Sequence, residues 1–294
     1  MPSSPILIIG HGYIGAALAK SLHQSNHSVA AVNRSGSPAP SYPLFSGDLG
    51  DRDSLENVKR LLGDQTPSTL VHCASSGRGG VDAYRSVFIC GIENLINTFP
   101  HTPIIFTSST SVYAQTDGSV VTESAETAPE QEAGRLLLEA EGLVRSSGGT
   151  NLRLAGIYGP GRSIYLKRIL NGTATIESGK TSRFLNQIHR DDAVGAIRHV
   201  LSQQDKDAGR TYNVADNASL TQRECYEKLA AVLKLPVPPE SPPETNKKRA
   251  WTHKRVSNAA LRKTGWKPRF SSFFDAIESD PELVESMREQ IPER

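Results

Sequence analysis

Short apolar runs and stretches of helical periodicity alternate along most of this chain. Ile6-Leu7-Ile8-Ile9, Val29-Ala30-Ala31-Val32, Thr69 to Ser75 and Pro103 to Thr107 carry almost no charge, as strands buried on both faces of a parallel sheet do. After the first run Ile14, Leu18 and Leu22 recur on one helical face. Asp53-Ser54-Leu55-Glu56 opens another helix, Tyr84 to Phe99 reads as a helix carrying Val87, Cys90, Leu95 and Ile96, and Leu136, Leu137 and Leu138 lie on a further one. Ala193 to Leu201 is a helix and Arg210 to Val214 the last main strand. This alternation predicts an α/β fold built on a doubly wound parallel sheet.

The turn between the first strand and first helix is Gly10-His11-Gly12-Tyr13-Ile14-Gly15, with the helix expected from near Ala16. Glycines at this spacing let the backbone approach a pyrophosphate, and the following helix offers unpaired N–H groups and the positive end of its dipole. Those six residues are therefore cofactor-site candidates, and the fold becomes Rossmann-like. Where an NAD site places a carboxylate to hold the ribose hydroxyls, at the end of the second strand, this chain has Asn33-Arg34-Ser35. A guanidinium without a carboxylate suits a 2′-phosphate, so NADP is expected ahead of NAD; the alternative for Arg34 is a solvated loop arginine. Gly36 to Pro43 is a Ser/Pro/Gly-rich loop, after which Asp48-Leu49 follows a strand end and can reach the adenine edge. Cys73-Ala74-Ser75 ends the next strand. Arg78, in the glycine-rich loop beyond it, can bind an anionic substrate or stand in solvent.

Composition narrows the partners. The chain has 294 residues with 33 basic and 31 acidic side chains, a net charge of +2, too small to imply nucleic acid or a membrane surface. Cys73, Cys90 and Cys225 show no pairing or metal-ligand spacing, which suits a reducing compartment and suggests no metal site. No signal segment precedes the first strand and no apolar run approaches membrane-spanning length, so a cytoplasmic protein with a small-molecule substrate is expected.

Several motifs in order carry a family resemblance. Gly10-x-Gly12-x-x-Gly15, His72-Cys73-Ala74, Ser108-Ser109-Thr110-Ser111-Val112-Tyr113, Leu152-Arg153-Leu154, Ile157-Tyr158-Gly159-Pro160-Gly161, Ile188-His189-Arg190-Asp191-Asp192 and Tyr212-Asn213-Val214 resemble the landmarks of the extended short-chain dehydrogenase/reductases, the NAD-dependent epimerase/dehydratase group. The resemblance spans roughly residues 5–270. It implies a hydride reaction in which a serine orients the substrate oxygen, a tyrosine exchanges the proton, and a lysine one helical turn on holds the nicotinamide ribose. Ser109 matches the serine. The Tyr-x-x-x-Lys pair is absent: aligning the family's Lys-Leu-x-x-Glu gives Arg135-Leu136-x-x-Glu139, which puts Gln131 at the tyrosine and Arg135 at the lysine. Phe88 stands where the family has asparagine.

Glutamine has no titratable proton, and the arginine pKa is too high for a proton donor. The chain resembles an atypical subgroup. Ser109 is expected to orient the substrate oxygen, Tyr113 or an ordered water to handle the proton, and Arg135 to grip the ribose. Gln131 and Tyr158 are further substrate-contact candidates. Arg162, in a mixed basic stretch from Gly159 to Thr181, suits a phosphorylated or nucleotide-linked substrate or a solvated helix face. His189 with Asp191 and Asp192 fits a strand-to-helix turn capped by a carboxylate.

The expected domains are a NAD(P)-binding Rossmann domain over 1–158, completed by about 184–216, and a smaller C-terminal substrate-binding lobe from 159–183 and 217–294. In the lobe Thr221 and Glu224 form a capping box for a helix whose Cys225, Leu229, Val232 and Leu233 face a core. Leu235 to Glu244 is proline-rich loop, Lys247-Lys248-Arg249 a charge run, and Pro281 to Gln290 an exposed, fraying helix. By analogy with the fold, the assembly expected is a homodimer. Two functions from different classes follow: an NADP(H)-dependent oxidoreductase or epimerase, and a catalytically silent NAD(P)-binding sensor or scaffold.

Overall fold

A computed structural model describes residues 4–35, 41–77, 79–179, 182–203, 208–242 and 252–290. Arg78 and Lys247-Lys248-Arg249 lie outside these residues. The elements begin β1 (Ile6–Ile9), α1 (Tyr13–Gln24), β2 (Val29–Asn33), β3 (Leu44–Ser46), α2 (Arg52–Leu62) and β4 (Thr69–His72). Next come α3 (Gly80–Tyr84), a π-helical turn (Arg85–Cys90), α4 (Gly91–Thr98), β5 (Ile104–Ser109), β6 (Val120–Val121), α5 (Glu132–Ser146) and β7 (Thr150–Leu154). They continue with β8 (Gly156–Tyr158), α6 (Ile164–Leu170), β9 (Ile176–Glu177), β10 (Gln187–His189), α7 (Arg190–Leu201) and β11 (Thr211–Val214).

Seven strands form one sheet in the order β11-β7-β5-β4-β1-β2-β3. β1 pairs in parallel with both β2 and β4, so the strand order turns outward in both directions from this centre. That is the switch point of a doubly wound sheet, and it brings the carboxyl ends of β1, β2 and β4 to one edge. The β1 and β4 side chains are buried throughout, which is why these segments read as unbroken apolar runs.

The chain forms two compact units. The first comprises Met1–Val112, Pro129–Arg153 and Val194–Tyr212; the second comprises Tyr113–Ala128, Leu154–Ala193 and Asn213–Arg294. In the first, α1 buries Ile14, Leu18 and Leu22 as its periodicity predicts, but starts at Tyr13 rather than near Ala16. The helix expected from Tyr84 starts at Gly80 and is broken by the π turn, which carries Phe88 and Ile89 inward.

The second unit has its own core of Tyr158, Leu166, Ile169, Tyr226, Leu229, Phe270 and Phe273 among others. Leu283 and Met287 join it, so the last helix, Pro281–Arg288, is packed rather than exposed. Thr221 and Glu224 make the expected capping box on the helix Gln222–Leu233. Its buried stripe centres on Gln222, Tyr226 and Leu229, which leaves Val232 at the rim, 51 % exposed instead of facing the core. At the start of α7 the cap is a histidine, not a carboxylate: Asp191 N donates to Nδ1 of His189 at 3.2 Å. His189 Nε2 lies 3.2 Å from Asp280, and Asp192 accepts from the backbone N–H groups of Arg269 and Phe270.

Candidate active site

The glycine turn gives each glycine a distinct duty. Gly10 has φ +93°, and a side chain there would run into the backbone of Ala74. Gly15 faces Gly10 O so closely that no Cβ fits. Gly12 is exposed, and a Cβ built on it would meet nothing within 4 Å. Two glycines therefore serve close packing of turn, helix and neighbouring strand, while the middle one keeps its backbone open toward the sheet edge. Gly12 also caps α1 without a side-chain hydrogen bond, and the first turn of α1 carries no acidic residue. These features fit a pyrophosphate, which needs free N–H groups and no competing carboxylate.

The other cofactor candidates stand around this turn in the first unit. Gly10 N and His11 N both donate to Val32 O, at 2.9 and 3.2 Å, which ties the turn to the end of β2 just before Asn33, Arg34 and Ser35. Arg34 is exposed. Ser46 Oγ donates to Arg34 O at 3.3 Å and Gly47 N to Asn33 O at 2.8 Å, so β3 holds this exit in place. Asp48 is exposed and accepts from Gly50 N at 2.9 Å; Leu49 is buried, and its carbonyl is held by Asn94 Nδ2 at 2.8 Å. At the end of β4, Cys73 N donates to Ile9 O at 2.7 Å, and burial pushes the Cys73 thiol up to about 12, which leaves it inert. Ala74 faces Gly10 and Ser75 is exposed.

The residues expected at the reaction end stand at the end of β5 and the start of α5. Ser109, half-buried at the end of β5, accepts from Ser111 N at 3.1 Å, which leaves its O–H to donate elsewhere. Gln131 is the N-cap of α5; its side chain makes no capping bond, and its carbonyl accepts from Gly134 N and Arg135 N. Arg135 is exposed and turned back on its own helix start, with Nη1 2.9 Å from Glu132 and Nη2 donating to Glu130 O at 2.6 Å. Phe88 lies in an aromatic cluster with His72, Tyr84 and Phe106. His72 is fully buried there, and desolvation lowers its pKa to about 4, so it is a neutral packed ring.

The remaining candidates belong to the second unit. Tyr113 is fully buried, and its hydroxyl donates to Asn213 Oδ1 at 2.8 Å. Asn213 is fixed in turn by Ser257 O and by Glu123, and Lys254 Nζ donates to Tyr113 O at 2.6 Å. The Tyr113 hydroxyl is thus engaged with Asn213 inside the second unit. Tyr158 is also buried, its ring against His189 and Phe273, with burial raising its pKa. Arg162 is exposed in a tight turn closed by its backbone bonds to Gly159.

Sequence reasoning missed Tyr42 and Glu141. Tyr42 is the one aromatic residue in the Gly36 to Pro43 loop, a signal that composition could have raised. Glu141 reads as one more helix charge, but it is fully buried behind Ser108, whose Oγ donates to it at 2.7 Å.

A doubly wound parallel sheet whose switch point carries an open glycine turn defines a dinucleotide-binding α/β protein. The chain belongs to the NAD dependent epimerase/dehydratase family, whose model matches residues 6–215. It is 31 % identical over 251 residues to Protein YeeZ of Escherichia coli K12, a match covering 79 % of this chain and 85 % of that protein. A solved Methylobacillus flagellatus protein described as an NAD-dependent epimerase/dehydratase aligns at TM-score 0.77 and 26 % identity over 97 % of this chain and 99 % of its own. The Thermus thermophilus UDP-glucose 4-epimerase complex with NAD aligns at 0.79 and 20 % identity, over 98 % and 100 % of the two chains, a likeness of fold. Among the described residues no helix is long and apolar enough to cross a membrane.

Proposed function

We propose that the protein is an NADP(H)-dependent oxidoreductase or epimerase acting at a hydroxyl- or carbonyl-bearing carbon of a small phosphorylated or nucleotide-linked substrate. The observation that carries this is the pairing of an open Gly12 with Asn33-Arg34-Ser35 at the neighbouring strand end. Backbone N–H groups face a pyrophosphate, and a guanidinium in place of a carboxylate faces a 2′-phosphate. Bound here, the nicotinamide would supply a hydride acceptor or donor.

Ser109 orients the substrate oxygen, since its hydroxyl already accepts from Ser111 N and has its proton left to donate. With Gln131 untitratable and the Tyr113 hydroxyl on Asn213, an ordered water carries the proton. Arg135 can still grip a ribose: an exposed ion pair such as Arg135–Glu132 is worth only about 0–1 kcal/mol, so exchanging it costs little. Arg78 and Arg162 are the cations offered to an anionic substrate, and the assembly is a homodimer.

Titration with NADP+ and NAD+, followed by turnover against a panel of carbonyl compounds, tests this. NADP+ should bind roughly tenfold tighter or better, as one to two charge-assisted hydrogen bonds imply; tighter NAD+ binding would refute the cofactor assignment. The aromatic cluster around Phe88, the capping position of Gln131 and the engaged Tyr113 favour a second function, a catalytically silent NAD(P)-binding sensor or scaffold. Tight NADP(H) binding without turnover of any carbonyl would select it.

A further inference from the structure

No motif points to Tyr42, which stands in the connection between β2 and β3. Its hydroxyl lies 2.8 Å from Nε2 of His11, and its ring meets those of His11 and His23 with centroids 5.8 and 5.5 Å apart. His11 is the second residue of the glycine turn, and its N–H is held by Val32 O, one residue before Asn33 and two before Arg34. The glycine turn, the exit of β2 and the β2–β3 connection therefore meet at one half-buried hydrogen bond between two side chains that can each donate to an anion. We propose that His11 and Tyr42 are a second anchor for a 2′-phosphorylated dinucleotide, releasing each other to donate from Nε2 and from the phenol to the 2′-phosphate, with His11 taking up a proton as they do.

The protonation states follow from the surroundings. Burial lowers the His11 pKa from its ordinary 6.5, so at neutral pH the ring is uncharged and Nε2 accepts from the Tyr42 hydroxyl. Burial also raises the Tyr42 pKa, which keeps the phenol a donor. Among the described residues the other titratable group on the pair is His23 of α1, against the Tyr42 ring. Burial disfavours protonation of His11 until an anion arrives, and the first turn of α1 supplies no carboxylate to stabilise the imidazolium instead. A phosphate dianion reverses this balance, because a neutral imidazole nitrogen that accepts from Tyr42 has no hydrogen for the phosphate, whereas the imidazolium does.

The proposal rests on the NADP assignment, so the probes are fragments that separate the two: adenosine 2′,5′-bisphosphate and 5′-AMP. Binding is measured by calorimetry near pH 7.5 in two buffers of different ionisation enthalpy, for the parent chain, His11→Asn and Tyr42→Phe. The parent should take up a proton with the bisphosphate and none with 5′-AMP. His11→Asn should abolish the uptake and weaken the bisphosphate about tenfold more than it weakens 5′-AMP, and Tyr42→Phe, which keeps the ring and its histidine contacts, should weaken the bisphosphate about fivefold with 5′-AMP unchanged. Bisphosphate binding and proton uptake that survive in both variants overturn the anchor while leaving the NADP assignment intact. A parent chain that binds 5′-AMP as tightly as the bisphosphate overturns both.

Discussion

Glu141, on α5, is fully buried, and its carboxylate accepts from Arg153 Nε at 2.9 Å, Arg153 Nη2 at 2.6 Å and Ser108 Oγ at 2.7 Å. The Arg153 side chain is itself 6 % exposed, and the half-exposed Arg145 reaches the same carboxylate only at 3.7 Å. Breaking a buried pair from one side leaves an uncompensated charge and costs about 3–5 kcal/mol. Arg153→Met keeps the stem and removes the charge; because Arg145 still faces Glu141, the lower end, about 3 kcal/mol, is expected. Glu141→Leu takes the carboxylate from a guanidinium that cannot shed its proton, so the upper end, about 5 kcal/mol, is expected. The double variant removes both charges together and should return to within about 1 kcal/mol of the parent. Guanidinium unfolding followed by circular dichroism measures all four proteins, and a melting-point loss of roughly 6–20 °C should accompany the single variants. Additive losses, or single variants costing less than about 1 kcal/mol, would refute the account. The pair also steadies Ser108, next to Ser109, so the single variants should lose turnover in step with stability.

Gly12→Ala should leave stability within about 0.5 kcal/mol of the parent, because its Cβ meets nothing, yet weaken NADP+ binding; Gly15→Ala should instead destabilise, because its Cβ falls on Gly10 O. Thermal melts and a binding titration of the two variants separate ligand approach from packing. Ser109→Ala should lower kcat about 100-fold or more with NADP+ affinity unchanged, whereas Tyr113→Phe should cost about 1 kcal/mol of stability through the lost Asn213 bond and leave kcat near the parent value; equal turnover in parent and Ser109→Ala would remove the serine from the mechanism. Asp216 is pushed up to about 8 by burial, with Asp192 and Asp275 adding to the effect. Between its ordinary 3.8 and about 8 the folded chain holds a proton that the unfolded chain has lost, so this group's stabilisation is complete at low pH and drains away as pH rises. Asp216→Asn should therefore match the parent near pH 4 and exceed it by pH 8, on the order of 2–4 kcal/mol, in denaturant midpoints across that range; a constant difference would refute the burial effect.

Local chemistry was legible wherever one short segment decides it. The unbroken apolar runs at Ile6–Ile9 and Thr69–His72 announced strands covered on both faces, and the glycine spacing announced the turn between β1 and α1. The capping box at Thr221 and Glu224 needs only residues three apart. Less was legible where a side chain's partner lies far along the chain. Nothing near Tyr113 in the sequence points to Asn213, a hundred residues on, as the partner of its hydroxyl. His189 displaced the expected carboxylate cap because burial against Phe270 and Asp280 fixed its ring at the start of α7.

The sequence by itself determined the parallel α/β fold and the dinucleotide turn, because periodicity and glycine positions are local properties of the chain. Only the tertiary structure decided that Glu141 is an internal counter-ion and not a surface charge, that Leu283 and Met287 belong to a core, and that Tyr42 closes on His11. Each of those outcomes depends on which surface removes a side chain from water, and burial of that kind is a property of the packed chain, not of any one segment.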